Sequence, residues 1–410
     1  MKKILLLTAS LFAFICADEF VEDGTTSLGG YGELHYDMEG NSGDGKLDFH
    51  RFIFYIKHQF NSEWSMMSEI EIEHNMVYSE GDGGYLAMEQ AHLNYWNGKW
   101  GFKGGVLLQP AGIINEYHEP PTFLSVERPE YNKYIIPTTW FGNGFSFYGG
   151  SGDFKWNYTM TGDLDGDAIS NGIRSARLKG VGETTEGGWV KTLQGSWTGM
   201  EGLKVGGSIT MNSPTRSASE NQSNCAVYDG DGAIQITDVN GVQTLTTGAC
   251  NTGIDEASLD VTLTEFNATW SKNNLYARME YGMIDYANNF HQDVADTPLN
   301  DDGDQYLDTN GDGVVNDSDL TWNPGTITEY KSSSGYYVDL GYNVKSLLNT
   351  DKDVFLWTRT SSYSRDDDGD AKDISLFGVT YKPADNISFK FETGEAGGND
   401  VMRMGLGYMF

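Results

Sequence analysis

Long apolar runs are almost missing from this 410-residue chain, and so are positive charges: 27 Lys plus Arg stand against 59 Asp plus Glu. After an opening stretch from Ile4 to Ile15, no run is long enough for a helix to span a bilayer. The resulting formal charge of -32 makes a nucleic acid a very poor partner and works against direct attraction of anionic solutes. Leu and Ala are sparse for a helix bundle. Only nine prolines and three cysteines occur. What the chain has instead is Gly (51), Tyr (23), Phe (20) and Trp (10), a composition that favours β-structure with aromatic girdles.

The opening residues read as a secretory signal over 1–17. Lys2 and Lys3 give the charged start, Ile4 to Ile15 the apolar run, and Ala17 a small residue before Asp18. Cys16 follows Ile15, where lipoprotein processing wants a small side chain. The remainder, 18–410, is expected to form a single domain. Export without a helical span leaves periplasmic, extracellular or outer-membrane placement, and a β-barrel hides from hydropathy because its strands alternate.

Alternation of period two predicts about sixteen strands (eighteen is also compatible), near 25–37, 47–60, 63–78, 85–96, 100–109, 143–151, 153–164, 188–199, 202–212, 258–271, 274–287, 333–346, 352–364, 373–384, 386–395 and 400–410. The connections sort into two sides. Those after even-numbered strands are short, near Asn61-Ser62, Asn97 to Lys99, Gly152, Met200-Glu201, Lys272-Asn273, Leu347 to Asp351 and Asp385. Those near 110–142, 165–187, 213–257 and 288–332 are long. A soluble sandwich has no reason to sort its loops this way. The fold class is therefore an all-β, transmembrane antiparallel barrel with long external loops, in the outer membrane of a Gram-negative bacterium.

Single strands show two faces. Trp64, Met66, Ile70 and Ile72 alternate with Met67, Glu69, Glu71 and Glu73, and Phe52, Phe54 and Ile56 with Arg51, Tyr55 and Lys57, as suits a wall between lipid and water. At the end, Met402, Met404, Leu406, Tyr408 and Phe410 share a face opposite Arg403, Gly405, Gly407 and Met409. That pattern resembles the terminal signature read by the barrel-assembly machinery.

The third long-side loop, 110–142, holds five of the nine prolines. Pro fixes φ and cannot donate to a ladder, so the segment is a stiff loop, suited to narrowing a wide lumen. It brings Glu116, His118, Glu119, Glu127 and Arg128, which with Arg51, Lys57, Glu69, Glu71 and Glu73 are the expected pore lining. Residues 105–144 (GVLLQPAGIINEYHEPPTFLSVERPEYNKYIIPTTWFGNG), 47–75 (LDFHRFIFYIKHQFNSEWSMMSEIEIEHN) and 89–96 (EQAHLNYW) resemble bacterial porins related to the phosphate-selective O/P family. The likeness covers roughly the first 145 residues and the terminal strand. It implies a sixteen-stranded homotrimeric porin conducting small ions. With so few Lys and Arg, phosphate selectivity does not carry over, and the acid balance points to cation preference.

Two further loops carry motifs. Asp308, Asn310, Asp312, Asn316 and Asp319 hold positions 1, 3, 5, 9 and 12 of a calcium loop, with Gly313 at position 6 and the Val314 carbonyl at position 7. Calcium there would rigidify an external loop between 288 and 332. Cys225 and Cys250, both in the loop 213–257, read as a disulfide, closing a loop for roughly 3 kcal/mol on the chain-entropy account. Acidic runs at Asp163 to Asp167 and Asp366 to Asp370 read as solvated surface or weak cation sites shared with lipopolysaccharide. None of the seven histidines has triad or metal spacing, and phosphate-cradling and haem motifs are absent, so no enzyme is expected. Two functions fit: passive diffusion of small ions and solutes through a water-filled channel, or a barrel-anchored adhesion or binding protein with calcium-stabilised loops.

Overall fold

In the computed structural model the described residues are 23–39, 44–75, 86–177, 188–213, 215, 259–287, 332–365, 369 and 371–410, with short strand pieces within 225–248 and 290–329. Sixteen strands close into one barrel. They are β1 (Thr26–Glu39), β2 (Lys46–Gln59), β3 (Trp64–Glu73), β4 (Leu86–Trp96), β5 (Trp100–Leu108), β6 (Phe141–Ser151), β7 (Phe154–Thr161) and β8 (Val190–Met200). The second half is β9 (Leu203–Asn212), β10 (Asp260–Lys272), β11 (Leu275–Ala287), β12 (Ser333–Asn343), β13 (Asp353–Ser364), β14 (Lys372–Ala384), β15 (Ile387–Ala396) and β16 (Asn399–Met409). Neighbours are antiparallel, and β1 closes on β16 from Tyr31 opposite Met409 to Glu39 opposite Val401. The barrel itself has no unpaired edge. Among the described residues no helix is long and apolar enough to cross a membrane.

The strands form where the sequence alternates, and local chemistry sets their ends. β3 stops at Glu73, short of the expected 78, because His74 and Asn75 take φ of 52° and 61°. Such left-handed residues break a ladder. On the short side, Asn61 Oδ1 accepts from the Glu63 and Trp64 N–H groups, and Asn97 Oδ1 from those of Lys99 and Trp100, each at 3.0 Å. An Asn side chain mimics a backbone turn in this way. Asn273 and Asn274 have φ of 55° and 65°, the hairpin geometry that matches strand twist.

The outer face is apolar, with Phe54, Leu93, Phe145, Leu193, Phe266, Leu340 and Phe377 all exposed. Trp64, Tyr95 and Trp100 cluster beside the short turns, with ring centroids 4.9 and 5.5 Å apart. The inner face is polar, yet much of it is buried, because chain fills the lumen. The segment between β5 and β6 turns inward. Within it Ile113–Glu116, Pro120–Thr122 and Tyr131–Tyr134 form single helical turns. Ile114, Phe123, Leu124, Tyr131, Ile135, Ile136 and Trp140 from this segment pack with wall residues Leu263, Ile284, Tyr337, Trp357 and Tyr363. The core of the molecule thus lies inside the barrel, between the wall and this loop.

Candidate constriction and its seat on the wall

A loop with five prolines and only single helical turns leaves many of its carbonyls and N–H groups without backbone partners, and burial makes that costly. The wall supplies partners from charged side chains that alternation turns inward. Lys390 on β15 donates to the Pro120 and Ser125 carbonyls at 2.6 and 2.7 Å, and Lys382 on β14 to Pro121 at 2.7 Å. Arg278 on β11 donates to the Thr122 carbonyl at 2.8 Å and Arg359 on β13 to that of Glu127 at 3.2 Å. Two wall carboxylates accept loop N–H groups, Glu280 from Ile113 and Glu392 from Val126, both at 2.7 Å. The loop's two roots are tied together through Asn115, which donates to the Gln109 carbonyl at 2.8 Å and accepts from Trp140 N–H at 2.7 Å.

Shape completes the seat. A Cβ added to Gly405 would come within 2.9 Å of Val126, and one on Gly407 would collide with Pro120. Bare backbone on β16 therefore lets the proline segment lie flat against the wall.

Of the ten residues expected to line a pore, five surround one gap between loop and wall. These are Lys57 and Glu69 from β2 and β3, and Glu116, His118 and Glu119 from the loop. Tyr55 and Gln90 border the same gap. Gln194 on β8 donates to Glu116 at 2.7 Å, and Tyr55 donates to Glu119 at 3.4 Å. Glu69 and Glu71 point inward but are fully buried. Glu71 belongs to an ion-pair chain, 3.2 Å from Arg51, which is 2.6 Å from Glu33. Arg51 stands opposite Glu73 in the β2–β3 register. Glu127 pairs with His35 at 2.6 Å, and Arg128 donates to the His118 carbonyl at 3.0 Å.

The loop groups titrate away from their ordinary values. Burial pushes the His118 imidazole down, but its bond to Glu69 and that carboxylate's charge outweigh burial and pull it up to about 9. Burial raises the Glu119 carboxyl, only partly offset by His118. Burial also raises Glu127, and the His35 imidazolium overcomes it, holding this carboxyl well below the usual range.

Arg278, Glu280, Arg359, Lys382, Lys390 and Glu392 were not among the expected site residues. Their one sequence signal is a charge at an inward position of an alternating strand. The proposed calcium ligands Asp308, Asn310, Asp312, Val314, Asn316 and Asp319 lie outside the described residues, as do Cys250, the side chain of Cys225 and the signal region 1–17.

A closed sixteen-stranded antiparallel barrel with its third long loop folded inward is a porin-type barrel. Solved structures agree on the fold. OmpF of Salmonella typhi, in complex with daunomycin, superposes with a TM-score of 0.54 at 11% identity over 94% of this chain and 98% of that one. The trimer form of OmpT, an outer membrane protein of Vibrio cholerae, gives 0.52 at 11% identity over 95% and 100%. An anion-selective porin from Comamonas acidovorans gives 0.51 at 9% identity over 95% and 100%. In sequence, an uncharacterized protein of Aquifex aeolicus (strain VF5) is 48% identical over 125 residues, which is 30% of this chain and 29% of that protein. No family model matches the chain, so membership of the phosphate-selective O/P family stays without support beyond the resemblance.

Proposed function

We propose that this protein is an outer-membrane porin, a water-filled channel for passive diffusion of small ions and solutes. The observation that carries the reading is the inward-folded loop. Its seat orders it against the wall, and charged groups of both surround one gap. A binding protein that used its barrel only as an anchor would have no need to build such a constriction. The apolar outer face suits lipid and lipopolysaccharide, and insertion would run through the barrel-assembly machinery. A homotrimer is the assembly implied by the family resemblance, and the trimer form of the Vibrio OmpT supports it. Catalysis forms no part of this reading.

Cation preference follows from the net charge of -32. It belongs to the mouths more than to the gap, where Lys57 stands beside Glu116 and Glu119 and Glu69 is paired with His118. The preference is therefore weak. Planar-bilayer recording of the purified protein tests both parts. Stepwise conductance with a modest cation-selective reversal potential is expected. An anion-selective potential would overturn the preference, and an insulating bilayer with correctly folded protein would overturn the channel.

A further inference from the structure

We propose that Glu69, Glu89 and His118 bind a divalent metal cation of the zinc class, which fastens the constriction loop to the barrel wall. His118 Nε2 stands 3.3 Å from Glu69 Oε1 and 3.7 Å from Glu89 Oε2. The three ligand atoms all lie within 4.8 Å of one another, and ligands about 2.0–2.1 Å from a tetrahedral metal are separated by roughly 3.3 Å, so a modest inward adjustment would bring them to three corners. All three side chains are buried, at 0%, 0% and 1% exposure.

The imidazole is already set for ligation. Its Nδ1 lies 3.1 Å from the Asn115 carbonyl oxygen, which can only accept, so Nδ1 carries the hydrogen. Nε2 faces the two carboxylates, so a metal ion there would take the place of the Nε2 proton, and a backbone carbonyl behind the far nitrogen is the usual support of a metal-bound histidine.

Glu89 is the second, independent observation. Neither of its carboxylate oxygens receives a well-formed hydrogen bond, although the residue is fully buried and its neighbours are the Glu71 carboxylate and, at 3.7 Å, His118. The nearby Arg51 is engaged by Glu33 and Glu71. Buried carboxylates crowded together with so few donors are unfavourable. A divalent ion would satisfy Glu89 and Glu69 together, with water from the gap as the fourth ligand. One imidazole and two carboxylates suit Zn2+, Co2+ or Ni2+ better than calcium, which prefers an all-oxygen shell. The rim group Asp48, His50 and His74 is a weaker candidate. Its carboxylate is already bonded to both imidazoles, at 3.0 and 2.8 Å.

The test uses full-length protein folded in detergent, stripped with a chelator and titrated with Co2+ in excess calcium, which occupies the acidic external loops. One Co2+ per chain is expected, with the visible absorption of a nitrogen- and oxygen-ligated ion. Affinity should fall at least about tenfold in His118→Gln and Glu89→Gln and stay unchanged in His74→Gln. No bound Co2+ in the parent protein, or loss that follows His74 and not His118, would overturn the proposal. Folding of each variant is checked by β-sheet circular dichroism. If Glu89→Gln does not fold, His118→Gln, which alters only the loop, decides. The readout needs no conductance, so its failure leaves the channel reading standing, and a silent bilayer leaves the metal site standing.

Discussion

Lys390 shows how single side chains hold the constriction. Its ammonium donates to two carbonyls of a proline segment and lies 3.8 Å from the Phe123 ring centroid. Replacing it with Met leaves both carbonyls buried and unpaired, at a cost of about 3 kcal/mol. Lys390→Met is expected to unfold at lower denaturant concentration in detergent and to give a noisier open channel. Glu127 makes a pH-dependent tie. Its carboxyl is held below the ordinary Glu value in the folded protein, so the stabilisation is complete above that ordinary value and is lost as pH falls through the folded one. Below about pH 4, current fluctuations should therefore grow, and Glu127→Gln should show the acid behaviour already at neutral pH. A mutant indistinguishable from the parent at both pH values would remove Glu127 from the seat.

At the scale of elements, β16 and the loop fit because two glycines leave room. Gly407→Val would place methyl groups where Pro120 lies, and overpacking of this kind costs typically 1–3 kcal/mol. The loop, which has fewer fixed contacts than a barrel strand, is the part expected to yield. Single-channel conductance should rise while the β-sheet signal stays constant. All sixteen strands were legible because the outer face must be apolar and the inner face polar, and that contrast survives as simple alternation. The end of β3 was not legible, since nothing in its pattern says that His74 and Asn75 turn left-handed. Inward pointing was readable for Glu69 and Glu71, but not that the loop would bury them. The anchors Arg278, Glu280, Lys390 and Glu392 escaped for the same reason. Alternation tells which way a side chain points and is silent about a partner 266 positions away, the separation between Val126 and Glu392.

Across the whole molecule, charge acts through distance and is therefore open to screening. The Debye length is about 10 Å at 0.1 M salt and about 3 Å at 1 M, so a preference set at the mouths should fade between those conditions. A cation-to-anion permeability ratio that stayed constant over that range would place the selectivity in the gap itself. The calcium motif between 288 and 332 would add a second effect. If Asp308 to Asp319 hold calcium, a calcium chelator should speed proteolysis between 288 and 332, and Asp312→Asn should reproduce this without chelator.

The seat described above also dictates an order of events in time. The groups that satisfy the proline segment come from strands made much later in the chain, with Lys390 lying 270 positions after Pro120. Contacts of such separation form late, because the chain between them must first be organised. Until β14 and β15 are in place the Pro120, Pro121 and Ser125 carbonyls have only water to bond, so in an incomplete barrel the loop is only partly seated. Sealing β1 against β16 and seating the loop are then linked steps, and the narrow passage exists only once the wall around it is complete.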